Sequence, residues 1–345
     1  MASDRRIVIV GGGLAGHRIA FALQHEARVT LIDPKEFFEI PMAVPRLLVQ
    51  PGRAEEALLP YSQFLAGVEL VRDRVQSVQP GFVRVASGTS IPYDVLVLAT
   101  GSSYPTDTLK ASIGGVPERI SHFGRLAEQV KAARRILIVG GGPVGVEIAG
   151  EILQDLPGKH VVMVQSGETI LPSITPGPRR YALEFLRARG AGIQLGRKVD
   201  DSDLAAADLV LWCAGYDVDT SYLRDFPGLE LDPSGRVPVD QYLRMRGTDN
   251  VFVAGDITAL PEPKLGIWAG KHAAVIIENI RRCLRGNTGL KSYRPATGSR
   301  MMLVTLGRSH GTGHTPLGDF TNSWLARKFK ATDMFIGRYR KAVGL

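Results

Sequence analysis

A chain of 345 residues with 44% hydrophobic and 22% charged side chains can build two or three packed domains, and none of its apolar runs approaches the ~18 residues of a membrane span. Its formal charge of +8 calls for an anionic partner: nucleic acid, an acidic membrane surface or phosphorylated cofactors. The two cysteines, Cys213 and Cys283, are far apart and make no CxxC or zinc spacing, which suits inert thiols in a reducing compartment.

MASDRR leads directly into an apolar run, so no secretory or transit leader is expected, and Ala2 is not the glycine that N-myristoylation needs. The first strand, Ile7 to Val10, is β-branched throughout, as in parallel strands buried on both faces. It runs into Gly11-Gly12-Gly13-Leu14-Ala15-Gly16, a helix-competent stretch from Ile19 to Gln24, and a second strand, Val29 to Ile32, ending on Asp33. Gly11 makes the tight turn, Gly13 lets the backbone approach a diphosphate, and Gly16 lets helix and strand pack closely. Asp33 lies 22 positions after Gly11, close to the roughly 20 expected of a carboxylate that binds a ribose diol.

Beyond Asp33, two prolines and the pair Phe37-Phe38 mark a loop that either lies against a flat ligand or packs its rings in the core. Residues 68–93 alternate apolar and polar and read as a small antiparallel insertion. Tyr93 to Leu98 forms another buried strand, ending in Ala99-Thr100-Gly101, where small residues leave room for a nucleotide.

The opening pattern returns at Ile136 to Val139, followed by Gly140, Gly142 and Gly145 at the same spacing, a helix from Val146, and the strand His160 to Val164. Two such units imply two dinucleotides. The second ends on Gln165 and Ser166 where an acid selects NADH, and Arg179, Arg180 or Lys198 could receive a 2′-phosphate, so NADH and NADPH both stay open. Glu147 either complements the helix dipole or approaches the nicotinamide. The strand 208–216 closes on Gly215, and Val251 to Val253 leads through Ala254 to Gly255-Asp256, where the chain returns to the first domain.

The last unit carries Met301 to Val304, glycine-rich turns, and a segment from Phe320 in which Trp324, Leu325, Phe329, Phe335, Ile336 and Tyr339 interleave with Arg327, Lys328, Lys330, Arg338, Arg340 and Lys341. That basic amphipathic segment suits either an anionic membrane surface or a helix covering a domain with its basic face in solvent. His310 and His314, in a glycine-rich stretch, do not make a metal site, and none is expected.

The two glycine fingerprints, Ala99-Thr100-Gly101 and Val253-Ala254-Gly255-Asp256 together resemble the two-dinucleotide flavoprotein family. The resemblance implies an α/β fold of two Rossmann-like dinucleotide-binding domains in glutathione-reductase-like architecture, with a small C-terminal α+β unit. FAD would occupy 1–114 with 246–290, NADH or NADPH 115–245, and 291–345 would be the C-terminal domain. Asp33 would hold the adenosine ribose and Asp256 the flavin ribityl chain. Closer likeness, through VTLIDPKEFFEIP with Arg46, GGGPVGVEIAGEI, PKLGIWAGKHA and MMLVTLGRSHGTG, is to the branch containing the ferroptosis suppressor and apoptosis-inducing factor-like flavoproteins and their plant homologues.

That branch implies NAD(P)H-driven quinone reduction at a membrane surface, by hydride transfer from nicotinamide to flavin and then electron release to a ubiquinone or vitamin K type acceptor. The expected cofactor contacts are Gly11, Gly13, Gly16, Asp33, Lys35, Arg46, Ala99, Thr100, Gly101, Gly140, Gly142, Gly145, Gly215, Gly255 and Asp256. Lys264, near the flavin N1/O2 edge, and Glu147 are the expected catalytic residues, and Trp268 either flanks a quinone or packs in the core. A monodehydroascorbate or small electron-transfer-protein reductase is the alternative enzyme. A redox-sensing, nucleic-acid-binding protein is the alternative of another class, with nucleic acid the less favoured partner. The expected location is cytoplasmic, at most peripheral to a membrane, and monomer and homodimer both stay open.

Overall fold

Strands without polar alternation must be covered on both faces, and the two runs that open the glycine turns each sit inside a parallel sheet. A computed structural model describes residues 3–345 except 107, 111–113, 322–323, 325–329 and 331. The first sheet has five parallel strands in the spatial order Val251–Val253, Val95–Leu98, Arg6–Val10, Arg28–Ile32, Val68–Val71. The second has four, in the order Gly192–Leu195, His160–Gln165, Arg135–Val139, Leu209–Trp212. In each, the strand before the glycines has a later strand on one side and the next strand on the other. The order reverses there, which opens a crevice at the carboxyl ends of the strands.

Val68–Val71, expected in an antiparallel insertion, is instead the parallel edge strand of the first sheet, paired with Arg28–Ile32. An edge strand half in solvent alternates whichever way it runs, so alternation carries no direction. The antiparallel insertion is confined to Val75–Gln79, Phe82–Val85 and Ser90–Pro92. Phe37 and Phe38 lie on a short strand paired with Leu58–Pro60 and are fully buried, so the rings belong to the core.

Helix Val116–Ala132 carries the chain from the first sheet to the second, and helix Gly266–Leu284 follows the return. The C-terminal unit is an antiparallel sheet of Met302–Leu306, His310–Thr315 and Gly318–Phe320 that packs on helix Pro143–Asp155. The approach is close: a Cβ on Gly150 would come within 2.9 Å of the Gly307 nitrogen. In the final segment Met334, Ile336 and Val343 are buried, Lys330 is buried, and the Tyr339 ring packs tilted against Phe38 of the first domain, 5.6 Å between centroids. This part covers a domain. Leu325, Arg327, Lys328 and Phe329, which the amphipathic reading also used, lie outside the described residues. Among the described residues no helix is long and apolar enough to cross a membrane.

Candidate active site

The first glycine turn is built by close approach. A Cβ on Gly11 would stand 2.6 Å from the Ala99 carbonyl oxygen, and one on Gly16 would stand 1.8 Å from the Gly11 oxygen. Gly13 differs: a Cβ there meets nothing within 4 Å, so the second glycine borders open space at the helix N-terminus, where a diphosphate would pass. Helix Gly16–Leu23 has no acid in its first turn to compete for that place.

Asp33 is buried, and its Oδ2 accepts a hydrogen bond from the Gly12 amide at 2.6 Å. Its Oδ1 accepts from the Lys35 amide at 2.8 Å and the Lys35 ammonium at 3.0 Å. Tyr61, which sequence reading missed, donates from its hydroxyl to the Gly12 carbonyl at 3.0 Å, and burial beside Asp33 raises its pKa. His17, also missed, donates from Nδ1 to the Gly13 carbonyl at 2.7 Å and stacks on Phe38 at 3.8 Å. Burial holds its pKa down at about 4.

Across the crevice, Thr100 shares a hydrogen bond with the Tyr222 hydroxyl at 3.0 Å, and the Ser102 hydroxyl donates to Asp256 Oδ2 at 2.6 Å. The Gly255 amide donates to His272 Nδ1 at 3.1 Å. His272 Nε2 therefore carries the proton and donates to Glu262 at 2.6 Å, while Glu262 also accepts from the Tyr293 hydroxyl at 2.7 Å. Nothing in the sequence spacing points to this buried network, which joins helix Gly266–Leu284 and the segment after it to the Gly255-Asp256 turn. Lys264 donates its ammonium to the Thr258 carbonyl at 2.8 Å and the Leu260 carbonyl at 3.1 Å, closing its own loop, and burial lowers its pKa.

The second glycine turn repeats the first. A Cβ on Gly145 would lie 2.1 Å from the Gly140 oxygen, one on Gly140 would lie 2.8 Å from Ala214 Cβ, and one on Gly142 meets nothing within 4 Å. Gln165 takes the place of Asp33: its Oε1 accepts from the Gly141 amide at 2.9 Å. Gly215 ends the neighbouring strand with φ of +75°, a conformation that glycine adopts without strain.

Arg46 and Glu147 are both engaged by other parts of the chain. Helix Pro143–Asp155 presents Glu147, Glu151 and Asp155, four apart, along one face. Glu147 accepts from the Thr305 amide at 2.9 Å and pairs with the Lys330 ammonium. Glu151 takes Arg46 in a two-pronged pair, 2.5 Å from Nε and 2.7 Å from Nη2, and both side chains are only 1% exposed. Asp155 takes Gln50 at 2.7 Å and Arg308 at 2.8 Å. The stripe thus joins this helix to the first domain through Arg46 and Gln50, and to the C-terminal unit through Lys330 and Arg308. Charged groups so buried must be paired, and Glu151 is one partner of Arg46.

An open depression of about 410 Å³ lies between the start of helix Gly266–Leu284 and the C-terminal sheet, lined by Trp268 and Lys271 from the helix and by Arg300, Met301, His314 and Pro316 among others. The Lys271 ammonium lies 4.2 Å from the Trp268 ring centroid. Cys213 is buried, with its pKa pushed up to about 12, and Cys283 is a free thiol on another element, so neither forms a disulfide. Two open second glycines, two helix N-termini and the buried Asp33 fit two dinucleotides.

The model of the pyridine nucleotide-disulphide oxidoreductase family matches residues 5–275. The chain is 31% identical to ferroptosis suppressor protein 1 of Xenopus laevis over 366 residues, covering 98% of this chain and 96% of that one. It is 28% identical to the Homo sapiens protein of the same name, with 96% and 93% covered, and 26% identical to apoptosis-inducing factor homolog A of Dictyostelium discoideum, with 97% and 91% covered. Its fold is that of the sulfide:quinone oxidoreductase of Aquifex aeolicus, with a TM-score of 0.78 at 19% identity over 99% of this chain and 91% of that one.

The fold and the paired glycine turns define a two-dinucleotide oxidoreductase. The chain belongs to the pyridine nucleotide-disulphide oxidoreductase family, and is an FAD-dependent NAD(P)H oxidoreductase with ferroptosis suppressor and apoptosis-inducing factor homologues among its relatives.

Proposed function

We propose that the chain is an NAD(P)H:quinone oxidoreductase, with FAD held by the first glycine turn and NADH or NADPH by the second. The observation that carries the acceptor is the depression of about 410 Å³ with Trp268 on its wall, on the helix that begins two residues after Lys264. Trp268, Met301 and Pro316 offer apolar contact to a quinone ring, and Lys271, Arg300 and His314 offer donors to its carbonyl oxygens. A disulfide acceptor would need a redox pair of thiols, and the two cysteines, one buried with a raised pKa, do not supply it.

FAD, held by the first glycine turn with Asp33 and Asp256, would supply the hydride-accepting and electron-releasing chemistry between nicotinamide and quinone. The chain binds, orients and tunes. Asp33, already accepting from the Gly12 amide, has the charge to take a ribose hydroxyl, and Lys35 balances it. Ala99, Thr100 and Gly101 form the floor below the cofactor, and Gly255 and Asp256 take its ribityl side. Lys264 stands on the loop beside them, where its ammonium form would stabilise a reduced, anionic ring. Glu147 acts as a positioning residue: its pair with Lys330 ties the first turns of the nucleotide helix to the C-terminal unit that walls the depression. Gln165 carries no charge to repel a 2′-phosphate, so both nicotinamide cofactors are accepted.

The test is steady-state turnover of the purified yellow protein with a soluble ubiquinone analogue, a disulfide and ferricyanide as rival acceptors. Quinone turnover that Trp268→Ala slows while ferricyanide reduction persists supports the proposal. Quinone turnover no faster than the disulfide background overturns it.

A further inference from the structure

Lys110 lies on the connection between the Ala99-Thr100-Gly101 strand end and helix Val116–Ala132. The connection is pinned near both ends. Ser103 and Asp217 exchange backbone hydrogen bonds at 2.9 Å, and Gly114 bridges Lys35. From this span the Lys110 ammonium reaches back to the strand end and donates to the Ser102 carbonyl. A Cβ on Gly101 would stand 3.4 Å from it.

The charges around this ammonium are those of the cofactor site. Asp256, Lys35, Glu39 and Asp33 all act on it electrostatically, with Asp256 the strongest. Glu39 is already paired with Arg119, and Asp33 with Lys35. Ser102, whose carbonyl receives the ammonium, gives its hydroxyl to Asp256. Among the described residues Lys110 makes no ion pair, and its burial lowers its pKa. Among the described residues this ammonium, out of bulk water, hydrogen-bonds only a neutral carbonyl and is poorly compensated, while the charges of both Asp33 and Asp256 act on it. A flavin dinucleotide carries its diphosphate between its two sugar-like ends. The helix N-terminus at Gly16 offers only partial positive charge to that group.

We propose that Lys110 is the counter-ion of the flavin dinucleotide's diphosphate. The inference rests on the flavin reading of the first domain and adds a cationic ligand that lies outside both glycine fingerprints. The contact is electrostatic, so it sets how tightly the cofactor is held and leaves the electronics of the flavin ring alone.

The test uses the yellow holoprotein, its K110M and K110R variants, and the rate of flavin release read as fluorescence recovery after dilution at several NaCl concentrations. K110M is expected to release flavin about tenfold to a hundredfold faster, the range for losing a hydrogen bond between charged groups. K110R, which keeps the charge, is expected to stay close to the unsubstituted protein. Release from the unsubstituted protein should quicken with salt more steeply than release from K110M, and the flavin midpoint potential should be the same in all three. Equal release rates in K110M and the unsubstituted protein overturn the proposal. So does a shifted potential with unchanged release, which places the ammonium at the flavin ring instead. A chain that neither purifies with flavin nor takes it up overturns this inference and the flavin reading together, whereas a yellow protein indifferent to K110M overturns this inference alone.

Discussion

The two glycine turns share one backbone plan and differ in charge. In the first, the side chain that receives the Gly12 amide is Asp33, buried and balanced by Lys35, with Tyr61 bonded to the same turn. In the second, the side chain that receives the Gly141 amide is Gln165, a neutral group in the same role. The hydrogen bond to the glycine amide therefore belongs to the architecture, and the charge behind it is free to vary with the ligand. The helices after the turns differ too. Gly16–Leu23 carries no acid, while Pro143–Asp155 spends Glu147, Glu151 and Asp155 on other parts of the chain.

The comparison breaks most severely at the glycines themselves. Gly16→Ala and Gly145→Ala place a methyl 1.8 Å and 2.1 Å from a backbone oxygen, and neither protein is expected to accumulate in soluble form. Gly13→Ala and Gly142→Ala meet no protein atom within 4 Å, so both are expected to fold with normal circular dichroism. Gly13→Ala should then lose flavin, and Gly142→Ala should keep flavin and lose affinity for NAD(P)H. Poor folding of the Gly13 variant would contradict the assignment of its open side to a ligand.

Next in size is the Arg46–Glu151 pair. Arg46→Met leaves a buried carboxylate without its partner and should cost about 3 to 5 kcal/mol in denaturant unfolding. Adding Glu151→Leu should recover much of that loss, since a buried pair often gives no net gain over apolar packing. A double variant no more stable than Arg46→Met would show that Arg46 matters through other contacts.

His17 sharpens the first turn by pH. Its folded pKa of about 4 lies below the ordinary 6.5, so the folded state favours the neutral ring. Its contribution is complete above pH 6.5 and is lost as pH falls toward 4, amounting to at most about 3 kcal/mol. Unfolding followed from pH 7.5 to 4 should show His17→Gln losing less stability over this window than the unsubstituted protein. Parallel profiles would refute the assignment.

Gln165→Asp tests whether charge alone separates the two turns. The KM for NADPH should rise about tenfold, equivalent to about 1.4 kcal/mol, with little change for NADH. Tyr61→Phe is the mildest change, expected to cost about 1 kcal/mol of stability through the hydrogen bond to Gly12. A larger loss would mean that the hydroxyl also holds the cofactor side of Asp33.

What the sequence disclosed and what it hid follow from the range of the interactions. Glycine spacing, apolar runs and the terminal Asp33 or Gln165 are local, and both nucleotide turns were readable from about thirty consecutive residues each, the span of a βαβ unit. The edge strand Val68–Val71 was misread because polar alternation reports exposure and not direction. Arg46 is legible only through a resemblance and Glu147 only through its place after the glycine turn, while their partners lie 105 and 183 residues away in Glu151 and Lys330. Lys330 in turn reads as one cation among six in a basic tail, and only folding reveals it as a buried one. The Glu262–His272–Tyr293 network was hidden because its members share no periodicity.

The most direct measurement of the central claim is anaerobic stopped-flow on the yellow protein: mix with NADH or NADPH, follow flavin bleaching, then mix the reduced protein with a soluble ubiquinone analogue. The account predicts fast bleaching by both nicotinamides and fast return of the flavin colour with quinone. Fast bleaching with no acceleration of reoxidation by quinone would contradict it.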